Sequence, residues 1–120
     1  MSLPSHMLVG LNVYDDESYS DDPAEIMWGK VISCTKNGWF TIEMDCVTDT
    51  NDNIDVTIYP KYIKARYYTF NDFGQGNPGF VGYSWYDKKD RTRHHMRIVR
   101  EHIIVPQAVT ERLSNINIQA

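Results

Sequence analysis

The sequence predicts a mostly-β domain, a small barrel or a strongly bent antiparallel sheet of five to seven strands with a short C-terminal helix. Three observations carry that expectation. An Asn37-Gly38 pair sits between two apolar, β-prone runs inside Trp28–Val47 (WGKVISCTKNGWFTIEMDCV), and Asn-Gly is the pair that accepts a tight hairpin turn most readily. Short alternating runs recur along the chain between Gly, Pro, Asn and Asp clusters, the pattern of sequential strands. Only one stretch, Pro106–Leu113, has helical spacing, with apolar residues at Val105, Val109 and Leu113.

At 120 residues the chain is read as one domain with a modest core. The opening MSLPSH reads as a vector-derived remnant, with the globular domain over 7–113 and a frayed tail over 114–120. No run approaches the length of a membrane span and no signal-peptide core is present, so the expected setting is intracellular, cytoplasmic or nuclear, without a membrane partner.

Taken in order, Leu8–Tyr14 (LVGLNVY) is the first strand. Asp15–Glu25 (DDESYSDDPAE) is acidic and broken by Pro23, so it is expected as a solvated loop. With Asn37 and Gly38 as the two turn residues, Lys30 faces Asp45. One hairpin face then carries Met27, Gly29, Val31, Phe40, Ile42 and Met44, expected buried. The other carries Trp28, Lys30, Trp39 and Glu43, expected at a border with solvent. The Lys30–Asp45 pair is worth roughly 0.2–1 kcal/mol. Cys34 and Cys46 fall on opposite faces, which argues against a disulfide.

Thr48–Asn53 is a turn cluster. Counted as a calcium loop from Asp49, it has Ile54 where glycine is needed and Pro60 where the bidentate glutamate belongs, so calcium is rejected. Ile54–Tyr59 alternates and reads as a strand. Pro60–Lys64 reads as a single turn, Ala65–Phe70 as a strand, and Asn71–Gly79 (NDFGQGNPG) as a loop. Phe80–Tyr86 is a strand, Asp87–Thr92 a polar turn, and His94–Val105 a long strand with a bend near Arg100. The helical stripe that follows is too short to stand alone and is expected to dock, for instance over an open barrel end.

Matching pieces in LVGLNVY, MWGKVISC, NGWFTIEM and IDVTIYPKYIK, over about residues 8–64, weakly resemble the Src-homology-3-like barrels of the Tudor or bromo-adjacent-homology type. The resemblance implies a small barrel that binds other proteins. The stretch from Arg66 to Val105 is longer than the single closing strand of such a barrel.

No catalytic or metal-binding constellation is recognised. No serine lies in a G-x-S-x-G elbow. His94 and His95 are adjacent and point to opposite faces of a strand. The pairs Asp15/Asp16 and Asp21/Asp22 lie in the acidic loop, where desolvation is not expected. The chain is therefore read as a non-enzyme with no cofactor.

Charge and aromatic residues are unevenly placed. Residues 1–60 hold two basic and eleven acidic side chains, net −9, whereas residues 61–100 hold nine basic and three acidic ones, net +6. Ten of the fifteen aromatic residues fall in Tyr59–Tyr86, more than two faces of a small sheet can all bury. The expected function is therefore protein or peptide binding through an aromatic-lined surface, with Trp39, Tyr62, Tyr67, Phe73, Trp85 and Tyr86 as contacts. Two alternatives are kept. One is nucleic-acid contact through the basic 61–100 region, with Lys88, Lys89, Arg91, Arg93 and Arg97 on the anion. The other is an assembly subunit, for instance viral, that uses the aromatic face as an oligomer seam.

Overall fold

The computed structural model describes residues 5–45, 61–85, 91–101 and 103–119. Six antiparallel strands run β1 (Asn12–Asp15), β2 (Trp28–Cys34), β3 (Trp39–Met44), β4 (Tyr62–Asp72), β5 (Gln75–Trp85) and β6 (Arg91–Ile98), followed by helix α1 (Gln107–Ser114). Each strand pairs with the next, and β1 also pairs with β6, which closes the sheet into a ring. The mostly-β expectation, its strand number and its C-terminal helix are thus met. The expected strand Ile54–Tyr59, the Thr48–Asn53 cluster, Cys46, Tyr86, Lys88, Lys89 and His102 lie outside the described residues.

Alternation sorts the side chains into an inside and an outside. Val13, Val31, Phe40, Ile42, Met44, Ile63, Ala65, Phe80 and Met96 fill the interior together with Leu8. Phe40 and Phe80 meet edge to face with centroids 5.1 Å apart. A second cluster lies on the outer side. Tyr14 and Trp28, the outward neighbours of Val13 and Gly29, pack with Ile26 against Val109 and Leu113 of α1. The helix stripe therefore docks on the side of the ring, over β1 and β2, and not over its end. Trp28, expected at a border with solvent, is 3% exposed. Burial there also raises the pKa of the Tyr14 hydroxyl.

The hairpin register differs from expectation near the turn. Thr35 N–H donates to the Trp39 carbonyl (2.8 Å), and Gly38 N–H donates to the Thr35 carbonyl (3.1 Å). The loop is three residues, Lys36–Gly38, with Gly38 alone at positive φ (84°), the geometry of a turn followed by a glycine bulge. A second irregularity falls between Val31 and Ser33. Each moves the pairing by one position, and together they return the same residues to the same face. Val31 faces Ile42 and Gly29 faces Met44. Between the two irregularities Cys34, a free thiol, is brought opposite Phe40 and against the core.

Lys30 now faces Glu43 instead of Asp45. Its ammonium donates to the carbonyls of Leu113 (3.2 Å) and Ile116 (3.4 Å), at and just past the end of α1, where a cation is favoured. Asp45 is bound instead by Arg112 of the helix, at 3.0–3.1 Å. The tail, expected to fray, touches the body: Ile116 joins the outer cluster and its carbonyl accepts from Lys30, and Gln119 N–H donates to the Ile32 carbonyl.

The largest departure is between residues 60 and 79. Lys61–Lys64 is not a turn, and Asn71–Gly79 is not a loop. β4 and β5 form one hairpin of eleven residues a side, paired from Lys64–Tyr83 to Asp72–Gln75. Its turn is only Phe73-Gly74, both at positive φ (54° and 84°), as a two-residue type I′ turn requires. Two glycines of β5, Gly79 from the expected loop and Gly82 from the expected strand, serve packing. A Cβ on Gly79 would sit 2.3 Å from the Phe70 ring, and one on Gly82 would sit 2.3 Å from the Lys64 carbonyl.

Candidate functional site

Three features carry polar or exposed aromatic chemistry: an interior polar array, an ion-paired strap and the outer face of the long hairpin.

The interior array is Asp15, His94 and Ser84. Asp15 has the inward parity of Val13, His94 that of Met96, and Ser84 that of Phe80, so three strands direct polar groups into one end of the ring. Ser84 Oγ lies 2.5 Å from His94 Nε2, and His94 Nδ1 lies 3.2 Å from Asp15 Oδ2. Asp15 Oδ1 also accepts the Glu17 N–H at 3.0 Å, and its backbone carbonyl accepts the Ser18 hydroxyl at 2.7 Å. All three residues are buried, with Ser84 4% exposed. The sequence reading placed Asp15 in a solvated loop and began the last strand at His94; Asp15 is instead buried, and His94 lies buried within a strand that begins at Arg91. β1 extends through Asp15, and two single turns of 3-10 helix, Asp16–Ser18 and Pro23–Glu25, replace the open loop. The order of atoms is that of a hydrolase triad, hydroxyl to Nε2 and Nδ1 to carboxylate. A nucleophile must also reach its substrate, and this hydroxyl is closed in. What the array does in this conformation is satisfy three buried polar side chains and tie β1, β5 and β6 together.

The strap is centred on Arg97, on the outer side of β6. Its Nη1 and Nη2 hold Asp72 at 2.6 and 3.0 Å, and its Nε holds Asp16 at 2.9 Å. Its guanidinium lies 4.5 Å over the Phe70 ring. Asn77 adds a donor to Asp72 at 2.7 Å. Arg97, expected as an anion contact, is thus occupied within the fold. The Arg97 and Asn77 hydrogen bonds pull the Asp72 carboxyl from 3.8 down to about 2. A carboxyl lowered on folding stabilises fully above its unfolded value, and the stabilisation is lost as pH falls through the folded value. Thermal melts between pH 5 and pH 2 should therefore fall less steeply for Asp72→Asn than for the wild type. Parallel curves would rule out this role for the strap.

The outer face of β3–β4 gathers Trp39, Tyr62, Lys64, Arg66 and Tyr68. Arg66 stacks 4.2 Å over Trp39, Lys61 lies 5.4 Å from the Tyr62 centroid, and Lys64 donates to Thr41 at 2.6 Å. Two of the expected contacts, Trp39 and Tyr62, therefore share a surface. Tyr67 does not join them, because it has inward parity and its ring meets Phe80 at 6.1 Å. Phe73 stands at the hairpin tip, fully exposed. Trp85 and Arg91 are placed as backbone positions at the end of β5 and the start of β6, and Arg93 is exposed on β6. The sequence reading missed Tyr68 and Arg66 as partners of this face. The signal was present as the alternation Tyr62, Lys64, Arg66, Tyr68, hidden by ending a turn at Lys64. No helix of the described residues is long and apolar enough to cross a membrane, and no metal-binding cluster is found among them.

Compared with protein-family models, curated proteins and solved structures, the chain matches none.

Proposed function

We propose that this chain is a non-enzymatic interaction module whose long β4–β5 hairpin engages a protein segment, with Phe73 as its leading contact and Tyr67 and Tyr68 behind it. The observation that carries the reading is Phe73 itself. A bulky residue in the left-handed region is strained by about 1–2 kcal/mol, and a phenyl ring left wholly in water gains nothing from burial. Asparagine would make the same turn without either penalty. An aromatic ring held outward at a strained turn fits an anchor that is buried only in a complex, since aromatic residues dominate such contacts. Closure of the Ser84 hydroxyl supports the non-enzymatic part of the reading.

The test is Phe73→Asn. The variant should unfold at a free energy about 1 kcal/mol higher than the wild type. Immobilised wild type should retain a protein from its source extract that the variant loses at least tenfold, measured by quantitative mass spectrometry. Identical retention on both would overturn the role given to the tip.

A further inference from the structure

The face that gathers Trp39, Lys64 and Arg66 does not stop at β4. Across the ladders, Lys64 stands beside Tyr83 of β5, and Tyr83 stands beside Arg93 of β6. In the next row Trp39 stands beside Arg66, Arg66 beside Val81, and Val81 beside His95. All of these have outward parity, because Phe40, Ile63, Ala65, Phe80, His94 and Met96 are turned inward and buried. Directly opposite residues lie about 5 Å apart and diagonal ones about 7–8 Å apart. Lys64, Arg66 and Arg93 therefore bracket the Tyr83 position closely on three sides.

The cations of this face are set apart from others in the molecule. The chain holds sixteen acidic side chains against twelve basic ones, and Arg97 and Arg112 are both held by carboxylates. Among the described residues, no carboxylate lies within ion-pair distance of Lys61, Lys64, Arg66 or Arg93. The contacts of the first three are neutral. Lys64 donates to the Thr41 hydroxyl, Arg66 donates to the Asn37 carbonyl at 3.3 Å and rests on the Trp39 ring, and Lys61 lies over Tyr62. Among the described residues of β3–β6, the outward carboxylates are Glu43 and Asp72. Both stand at the margins, Glu43 across from Lys30 and Asp72 on Arg97.

We infer that this face binds single-stranded nucleic acid, with Lys64, Arg66 and Arg93 on the phosphates and Tyr62 and Tyr83 beneath the bases. Cations without carboxylates call for an anionic partner, and the rings set among them decide its kind. An acidic peptide offers charge but no flat group for the rings. A duplex offers phosphates but keeps its base faces stacked inside. An unpaired strand presents both along one backbone, and a basic sheet face with interleaved rings is how such strands are held. The chain's net charge of −4 does not oppose this, because its acidic excess lies in residues 1–60, at net −9, against +6 in residues 61–100.

This sheet face is separate from the hairpin tip, so the two roles fail separately. The test is fluorescence anisotropy of labelled short oligothymidylate and oligouridylate, titrated with the full chain between about 50 and 200 mM salt. At least one should bind, and the tighter of the two assigns the sugar. Affinity should fall with salt at a log–log slope of about −2, from three phosphates at about 0.7 each. Arg93→Gln should reduce that slope by about 0.7, and Tyr62→Ala should weaken binding by about fivefold or more. Both positions are exposed, so both variants should keep the wild-type circular dichroism spectrum. Phe73→Asn should bind as the wild type does, and loss of binding there would place the strand at the tip instead. No binding of either oligonucleotide at about 50 mM salt overturns the site. A labelled oligoglutamate held as tightly as the oligonucleotides, or a folded Tyr62→Ala that binds as the wild type does, overturns the assignment to nucleic acid.

Discussion

Gly82→Val is expected to destabilise the fold by roughly 3 kcal/mol, the upper part of the range for overpacking a filled core. Gly82 lies between Ala65 on one side and His94 on the other. A Cβ there would meet the Lys64 carbonyl at 2.3 Å and the Ala65 Cβ and Cα at 2.6 and 2.7 Å. None of these is the end of a flexible side chain, so relief requires β4 and β5 to separate. In a domain of this size the melting temperature should fall by about 10–20 °C. Gly76→Ala is the matched control, because its Cβ would meet only the Thr69 methyl, at 2.9 Å, which a side-chain rotation clears. It should change stability by less than about 1 kcal/mol. Similar melting temperatures for the two variants would show that the strands do not approach as closely as described.

Asp15→Ala should be destabilising by about 3 kcal/mol. Removing the buried carboxylate leaves its hydrogen-bond partners desolvated and unmatched. Here the Glu17 N–H loses its acceptor and His94 loses the carboxylate at its Nδ1. Ser84→Ala removes a smaller group from the other end of the same array and should lose about 1 kcal/mol. Because His94 joins the two, their effects should not add, with a coupling above about 0.5 kcal/mol in a double-mutant cycle followed by urea unfolding. Strict additivity would mean that His94 does not transmit between them.

The parts of the fold that were legible are those set by local chemistry. The β2–β3 hairpin, its buried face and the stripe on α1 were read from a turn pair and from periodicity, and they stand. The exact register was not legible. The turn took a three-residue form, and a second irregularity at Val31–Ser33 compensated for it, so the face survived although Lys30 and Asp45 were separated. The β4–β5 hairpin was misread because glycine and proline were weighed as turn residues. Gly79 is a strand position that accepts a close neighbour, and Pro78 sits on an edge where its missing donor is not needed. The interior array was out of reach for a different reason. Asp15, Ser84 and His94 are distant in sequence, and no spacing rule links them. Their meeting depends on ring closure, which also buries an aspartate that opens an acidic stretch of sequence. The candidate surface was half legible: aromatic density located the region, while the division between Tyr67 on one face and Tyr62 and Tyr68 on the other required the strand phase.

Ring closure has a kinetic consequence. β1 is only four residues long, yet it forms both seams that complete the ring, with β2 on one side and β6 on the other. The β2–β3 and β4–β5 hairpins join residues near in sequence and can form within microseconds. The β1–β6 seam joins Val13 to Ile98 and must wait for the strands between them, since distant pairings carry the larger loop entropy. During synthesis β1 leaves the ribosome long before β6, so the ring is completed only when β6 returns to β1.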